Sequence, residues 1–281
     1  MAVGAAWLLS LALPGNGTLP LSALATTAFL LGGLPHGAFD IHRAARTSRL
    51  SMRRLTLFTA VYVGLFALMI AGWYAAPSLT LMVFAATAII HFSEDWGDLR
   101  EPLFRFALGF APLCAIGIGH PEQIETIFAA MADEDVAMLL RSVFVLIAPI
   151  VLLVAATGLF ILAQENDWRR AGVFAIMLGS LIFFPTLVGF TLFFCIFHTP
   201  RHLIAIRQDL ATWPVSRLVL TGAAITGLAV FLGAVCFPYA FDGGLASAAA
   251  GFQLLAALAM PHQCVGPVLQ LCRADLDVDT A

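Results

Sequence analysis

Five of the seven histidines in this chain lie within or at the edge of long apolar runs. They occur in the strings LPHGAFD, IIHFSEDW, IFHTPRH and MPHQC, as His36, His91, His198 with His202, and His262. A buried imidazole costs free energy unless it has a partner, and at membrane depth that cost is larger. The pattern therefore predicts a buried site at which these side chains meet.

The pair His198 and His202 has the spacing of two metal ligands on one helix. Residues four apart lie on the same helix face, one turn from each other, so both imidazoles can reach a single ion. Pro200 stands between them and loosens the local backbone, which can re-aim one ring. Imidazole ligands suit iron, copper, nickel or zinc, so the spacing predicts a transition-metal site.

Two aspartates repeat the same spacing relative to a histidine. Asp40 and Asp95 each stand four residues after His36 and His91. Each carboxylate can accept the free ring N–H of that imidazole or of a neighbouring one, which fixes the tautomer and raises the basicity of a ligand. Both aspartates are therefore predicted to support the metal ligands.

The remaining polar residues near these motifs are given structural roles. His42 follows Asp40 in an arginine-rich loop, and His120 stands at the outer edge of its apolar run. Glu94 and Asp98 are predicted to be solvated loop charges. The five cysteines show no CxxC pair, and a disulfide framework is not expected.

The composition is that of a polytopic membrane protein. Hydrophobic residues make up 61% of the chain and charged residues 11%, against about 25% charged in a soluble domain. The 14 basic residues are scattered, so no nucleic-acid stripe is present. Successive runs of about 20 apolar residues predict an all-α integral membrane bundle with 8–9 transmembrane helices.

No linker divides the chain into two folded units. We predict an N-terminal segment at 1–18 with room for a short extra helix, one transmembrane helical domain with the histidine site at 19–272, and an acidic cytoplasmic tail at 273–281. The stretch 171–206 is too long for one span and is interrupted at Pro185, so it is predicted to cross twice, first with only about 14 residues.

The arginines orient the predicted bundle in the cell membrane. Five of them crowd the loop after the first full apolar run and place it in the cytoplasm: Arg43, Arg46, Arg49, Arg53 and Arg54. The acidic stretch 119–137 contains no arginine and is predicted to be an outer loop. Alternation of the spans then places all five histidines at one depth, toward the cytoplasmic side.

The motifs PHGAFD, HFSEDW and FHTPRH and the late PH pair, in this order, resemble the Brp/Blh family of bacterial and archaeal integral-membrane β-carotene 15,15'-dioxygenases. The resemblance extends over roughly residues 34–265. It implies Fe(II) held by His36, His91, His198 and His202, with His262 as a second-shell group or a further ligand. It also implies O2-dependent cleavage of the central double bond of β-carotene to two all-trans-retinal, usually in the service of a microbial rhodopsin.

β-Carotene is a long hydrocarbon dissolved in membrane lipid, so an embedded enzyme can admit it laterally. The protein must then hold the polyene so that the central bond, among many similar ones, meets the activated oxygen. A narrow apolar tunnel is expected, and its wall is predicted to include Phe92, Trp96, Phe194 and Phe197.

Three alternatives remain open at the level of sequence. A membrane diiron hydroxylase or desaturase acting on a lipid or carotenoid needs a larger histidine inventory than one HxxxH. A non-enzymatic protein that binds haem or retinal and aids rhodopsin assembly needs histidines from only two helices. A transporter could use histidine and aspartate in proton or metal transfer. Metal content and reaction product distinguish these classes.

Overall fold

The computed structural model describes residues 25, 27–29, 31–47, 50–241 and 244–263, apart from the side chains of Leu34, His36 and Thr47. The described part is helical and contains no strand. The N-terminal segment 1–18 and the acidic tail 273–281 lie outside the described residues, so both stay predictions.

After the helical residues 25, 27–29 and 31–33, the described chain continues with ten helices and two short 3-10 segments. The first 3-10 segment, Leu34–Phe39, leads directly into the first helix, and the second, Pro238–Phe241, precedes the last helix. The helices are α1 (Asp40–Thr47), α2 (Met52–Ala75), α3 (Pro77–Glu94), α4 (Pro102–Gly119), α5 (Pro121–Met131), α6 (Glu134–Gln164), α7 (Trp168–Phe183), α8 (Thr186–Asp209), α9 (Val215–Cys236) and α10 (Gly244–Gln263).

Seven of the described helices are long and apolar enough to cross a membrane: α2, α3, α4, α6, α8, α9 and α10. This confirms the predicted all-α polytopic membrane bundle. The break expected at Pro185 is also present, because α7 ends at Phe183 and α8 begins at Thr186. With 16 residues, α7 is shorter than a usual transmembrane helix, as the sequence predicts.

The acidic stretch 119–137, predicted as an outer loop, contains a helix. Pro121 is the first residue of α5, a position where the missing N–H of proline costs nothing. One face of α5 buries apolar side chains, namely Ile124, Ile127, Phe128 and Met131, against α6 and α10. The connection between α4 and α6 therefore packs against one end of the bundle, and most of its acidic residues are exposed.

Burial is distributed unevenly among the spans, and this positions the site. In α4 and α10, 61% of the apolar window is buried, against 6% in α2. Both buried helices are rich in alanine and glycine, which allow neighbouring backbones to approach closely. The helix α3 packs directly on α4 and carries His91 near its C-terminus.

Gly109 allows the closest approach between α3 and α4. A Cβ at this position would overlap the backbone of Ser93, two residues after His91. We predict that Gly109→Ala lowers the stability of the detergent-solubilised protein by about 2 kcal/mol, because the overlap forces α3 away from α4. Thermal unfolding measures the effect. The control is Gly64→Ala, where a Cβ meets nothing within 4 Å; equal losses in both variants would contradict the prediction.

Candidate metal centre

Three imidazoles from two helices converge at one end of the bundle. His91 comes from α3, and His198 and His202 come from α8. Each of the three can present one nitrogen such that these atoms all lie within 4.8 Å of one another. His91 and His198 are buried, and His202 is partly buried. Within the described residues this is the arrangement of histidine, cysteine and carboxylate side chains best suited to a metal ion.

The backbone of α8 departs from α-helix at the centre of this cluster. Residues Phe193–His198 form a π-helical segment, in which the N–H of Thr199 donates to the carbonyl of Phe194. A proline in a helix lacks an N–H and clashes with the carbonyl four residues earlier, so the wider turn before Pro200 relieves that clash. The ring centroids of His198 and His202 lie 4.5 Å apart. The perturbation that Pro200 predicts is thus a π segment that ends at the first histidine.

His262 on α10 adds a fourth ring to the group. Its ring centroid lies 5.0 Å from that of His91 and 5.5 Å from that of His202. Its Nδ1 lies 2.7 Å from Oδ2 of Asp40, and the hydroxyl of Tyr62 donates to the same oxygen at 2.9 Å. His262 and Asp40 are both buried. Three helices therefore contribute described histidines to a single cluster.

Each of three imidazoles has its Nδ1 beside a carboxylate. His198 Nδ1 lies 2.8 Å from Asp95 Oδ2, and His91 Nδ1 lies 3.1 Å from Glu94 Oε2. The third case is His262 with Asp40. An Nδ1–H that donates to a carboxylate leaves Nε2 with its lone pair, which is the form that binds a metal.

The carboxylate of Asp95 contacts two imidazoles. Besides its contact with His198, its Oδ1 lies 3.4 Å from Nε2 of His202. Burial alone raises the pKa of Asp95, but His198 and His202 hold that pKa well below its usual range. The carboxylate contacts both rings of the HxxxH pair from one side.

The described residues fit a transition metal. Metal–nitrogen bonds are about 2 Å long, so two nitrogen atoms bound to one ion lie up to about 4 Å apart. Three nitrogens within 4.8 Å of one another need only small rotamer adjustments to meet that geometry. Neutral imidazoles supported by carboxylates are the donor set preferred by iron, copper, nickel and zinc.

An apolar cavity opens from the histidines into the bundle. His91 and His262 line one end, and residues of α5 such as Ile124 and Phe128 line the other. Along α10 the wall runs from Phe252 to His262, a helical rise of about 15 Å. Most other lining residues are apolar. Thr186, the first residue of α8, adds a hydroxyl group to the wall. The cavity can hold a long apolar group with one end at the histidine cluster.

The four aromatic residues predicted for a tunnel wall fall into two pairs. Phe92 and Phe194 line the cavity. Trp96 and Phe197 are not among its described lining residues, and their place in a tunnel wall stays a prediction. They stack on each other with ring centroids 5.7 Å apart and pack against Phe174. The cavity wall uses Phe190 and Phe252 instead, both in the aromatic cluster around Phe29.

Two further histidines with described side chains, His42 and His120, lie away from this group. The side chain of His36 lies outside the described residues, so its assignment as a ligand stays a prediction. The next residue, Gly37, lines the cavity beside His262. His42 packs edge-on against Trp213 with centroids 5.1 Å apart, and burial lowers its pKa. His120 follows the last residue of α4, at the opposite end from His91.

Several contacts of the cluster differ from what the sequence predicts or have no local signal in it. Glu94, predicted to be a solvated charge, keeps 40% of its side chain exposed but reaches His91. Its position three residues after the histidine on a helix was an available signal for this contact. Tyr62 and Arg170 contact the two aspartates from distant parts of the chain, and no local pattern marks them.

Comparison with known proteins gives a family match over most of the chain. A sequence profile described as "Beta-carotene 15,15'-dioxygenase" matches residues 27–270. The "Probable beta-carotene 15,15'-dioxygenase Blh" of Halobacterium salinarum is 25% identical over 280 residues, covering 83% of this chain and 79% of the relative. The "Beta-carotene 15,15'-dioxygenase" of an uncultured marine bacterium is 25% identical over 255 residues, covering 85% and 90%. No solved structure gives a significant match.

Proposed function

Because the chain belongs to the β-carotene 15,15'-dioxygenase family, we propose that it cleaves the central double bond of β-carotene with O2 and releases two molecules of all-trans-retinal. The observation that carries this proposal is the position of the histidine cluster at the end of an apolar cavity inside a membrane bundle. A metal at that point would face an apolar cavity that a hydrocarbon substrate can enter from the surrounding lipid.

The proposed cofactor is Fe(II), held by His91, His198 and His202 together with His36. When bound, Fe(II) supplies the redox chemistry by which O2 reacts with the double bond. His262 is either a further ligand or a group that orients its neighbours, since its ring stands within the same cluster. Asp40 and Asp95 support the ligands by accepting N–H groups from His262 and His198.

The cavity walls determine which bond reacts. One arm of the polyene lies along α10 and α3, with its ring toward α5 and its central bond beside His91 and His262. Phe92, Phe190 and Phe194 contact the polyene and exclude water from the reacting bond. Regioselectivity is therefore positional, because the length of the cavity fixes which double bond reaches the metal.

The location of the metal centre in the membrane is inferred from the arginine-rich segment near it. The histidines lie at the end of the bundle reached by the arginine-rich segment around α1, so we place the metal on the cytoplasmic side of the cell membrane. Membrane lipid delivers β-carotene laterally, and the retinal produced is suited to a microbial rhodopsin.

Expression in β-carotene-producing bacteria tests the proposal directly. The wild-type chain is expected to bleach the cells and to yield retinal, measured by chromatography of extracted pigments. The purified protein is expected to contain about one equivalent of iron, because the described residues form one cluster rather than two. Unchanged β-carotene in cells that contain the folded protein would refute the function, and off-centre apocarotenals would refute the regiochemistry.

A further inference from the structure

The turn after α3 is held by two arginines from other helices. Arg170 on α7 donates through Nη2 to the backbone carbonyl of Asp95 at 2.9 Å, and Arg201 on α8 donates through its own Nη2 to the same oxygen. We call these two residues the arginine clamp. Their side chains are only 14% and 31% exposed, so each guanidinium is partly withdrawn from water.

Trp96 forms the floor of the clamp. The guanidinium carbon of Arg170 lies 4.5 Å from the centroid of the Trp96 ring, and that of Arg201 lies 5.7 Å from it. Arg201 also stands over the ring of Phe197 at 5.3 Å. A cation over an indole face is attracted by the ring, most strongly where water is excluded. Trp96 and Phe197 therefore present their ring faces to the two guanidinium groups.

Asp98 anchors the clamp from the outside. Its carboxylate accepts both Nη1 and Nη2 of Arg170, at 2.6 and 2.9 Å. The hydrogen bonds from Arg170 hold the pKa of Asp98 below its usual range. Arg170 therefore joins two points of the same turn, the Asp95 carbonyl and the Asp98 carboxylate. A planar guanidinium can do this, whereas the single ammonium of lysine cannot hold the same geometry.

The clamp fixes the residue that orients the HxxxH pair. The Asp95 carboxylate contacts His198 at 2.8 Å and His202 at 3.4 Å, while its backbone oxygen accepts both arginines. Asp95 follows the last residue of α3, where the helix no longer holds its carbonyl. Arg201 also lies between the two histidines in the chain, so it connects α8 to the turn that carries Asp95.

We propose that Arg170 and Arg201 are positioning residues of the metal centre, acting through Asp95 on His198 and His202. This inference rests on the proposed function only in requiring that the histidine cluster bind a metal. Loss of a group that hydrogen-bonds directly to a metal ligand, as Asp95 does to His198, typically changes metal affinity by about 10- to 100-fold, so a group acting through Asp95 is expected at the low end. Arg170→Lys removes the guanidinium group that contacts both Asp95 and Asp98, and it is expected to weaken metal binding by about tenfold.

Titration of the metal-free, detergent-purified full chain with Co(II) tests the clamp without any turnover. Visible absorption of bound Co(II) reports both affinity and ligand geometry. Arg170→Lys is expected to bind about tenfold more weakly with an altered spectrum, whereas thermal unfolding of the metal-free protein stays close to wild type. The matched control is Arg169→Lys, the exposed neighbour on α7, which is expected to bind Co(II) as the wild type does.

Asp98→Asn provides a milder second variant, because the side chain of Asp98 is 62% exposed and the substitution keeps its size. It is expected to weaken Co(II) binding by about threefold through loss of the Arg170 anchor. Wild-type Co(II) affinity and spectrum in both Arg170→Lys and Asp98→Asn would overturn the clamp and leave the proposed function intact. A wild-type chain that binds no Co(II) and no iron would refute the metal centre itself, and the clamp would fall with it.

Discussion

Replacing His198 with alanine is expected to abolish both iron binding and retinal formation. His198 is fully buried, and its ring contacts those of His91 and His202 with centroids 4.9 and 4.5 Å apart. Alanine removes one proposed ligand and leaves the buried Asp95 carboxylate without its contact to His198. The expected loss in retinal yield is about three orders of magnitude, which corresponds to the several kcal/mol that a catalytic metal supplies.

The measurement combines iron content of the purified protein with retinal extracted from β-carotene-producing cells. His120→Ala is the matched control, since His120 lies at the opposite end of α4 from the cluster and is given a structural role. It is expected to retain iron and activity. Full iron content in His198→Ala, with the wild-type yield of retinal, would exclude this histidine from the metal centre.

Ala85→Phe is expected to block substrate while leaving the metal in place. Ala85 lines the cavity on α3, six residues before His91, which is a rise of about 9 Å. A phenyl ring at this position fills the space proposed for one arm of the polyene but does not reach the histidines. We expect kcat/KM for β-carotene to fall by at least about a hundredfold, the equivalent of roughly 3 kcal/mol of lost substrate binding.

The adjacent residue provides the control for this experiment. Ala86 is exposed on the outer face of α3, so Ala86→Phe adds the same ring toward lipid. It is expected to cleave β-carotene at the wild-type rate, and both variants are expected to contain iron. If Ala85→Phe cleaved β-carotene as fast as Ala86→Phe does, the cavity would not be the substrate site.

The sequence was sufficient to predict which residue types gather and in which class of fold. Apolar run lengths indicated a polytopic bundle, because the thickness of the hydrocarbon core fixes the length of a span. The HxxxH spacing placed His198 and His202 on one helix face, since helical periodicity is a local property. His91 could be added because the arginine pattern placed the ends of the spans at a common depth.

The carboxylate partners show where local patterns stop being informative. Asp40 and Asp95 were identified from their spacing to His36 and His91. In the fold the carboxylates of these aspartates contact His262 and His198, which are 222 and 103 residues away in the chain. Spacing along a helix predicts which side chains lie at the same level of the bundle. It does not predict which neighbouring helix each side chain faces.

For the aromatic residues, too, local spacing does not predict which side chains face the cavity. Phe92 and Phe194 line the cavity, whereas Trp96 and Phe197 lie behind it under the arginine clamp. The π segment Phe193–His198 changes the direction in which successive side chains point, so a period of 3.6 residues does not predict their facing. Trp96 lies in the turn beyond α3, where no helical period applies.

By itself, the sequence of this protein determined the membrane class and the histidine inventory and predicted a common depth for the histidines, because run length, charge and helical spacing are local quantities. Only the tertiary structure decided which carboxylate contacts which imidazole, which phenylalanines face the cavity and which arginines hold the turn at Asp95. Those choices depend on how the helices rotate and pack against one another. Packing is a property of the whole chain, and no single segment of the sequence contains it.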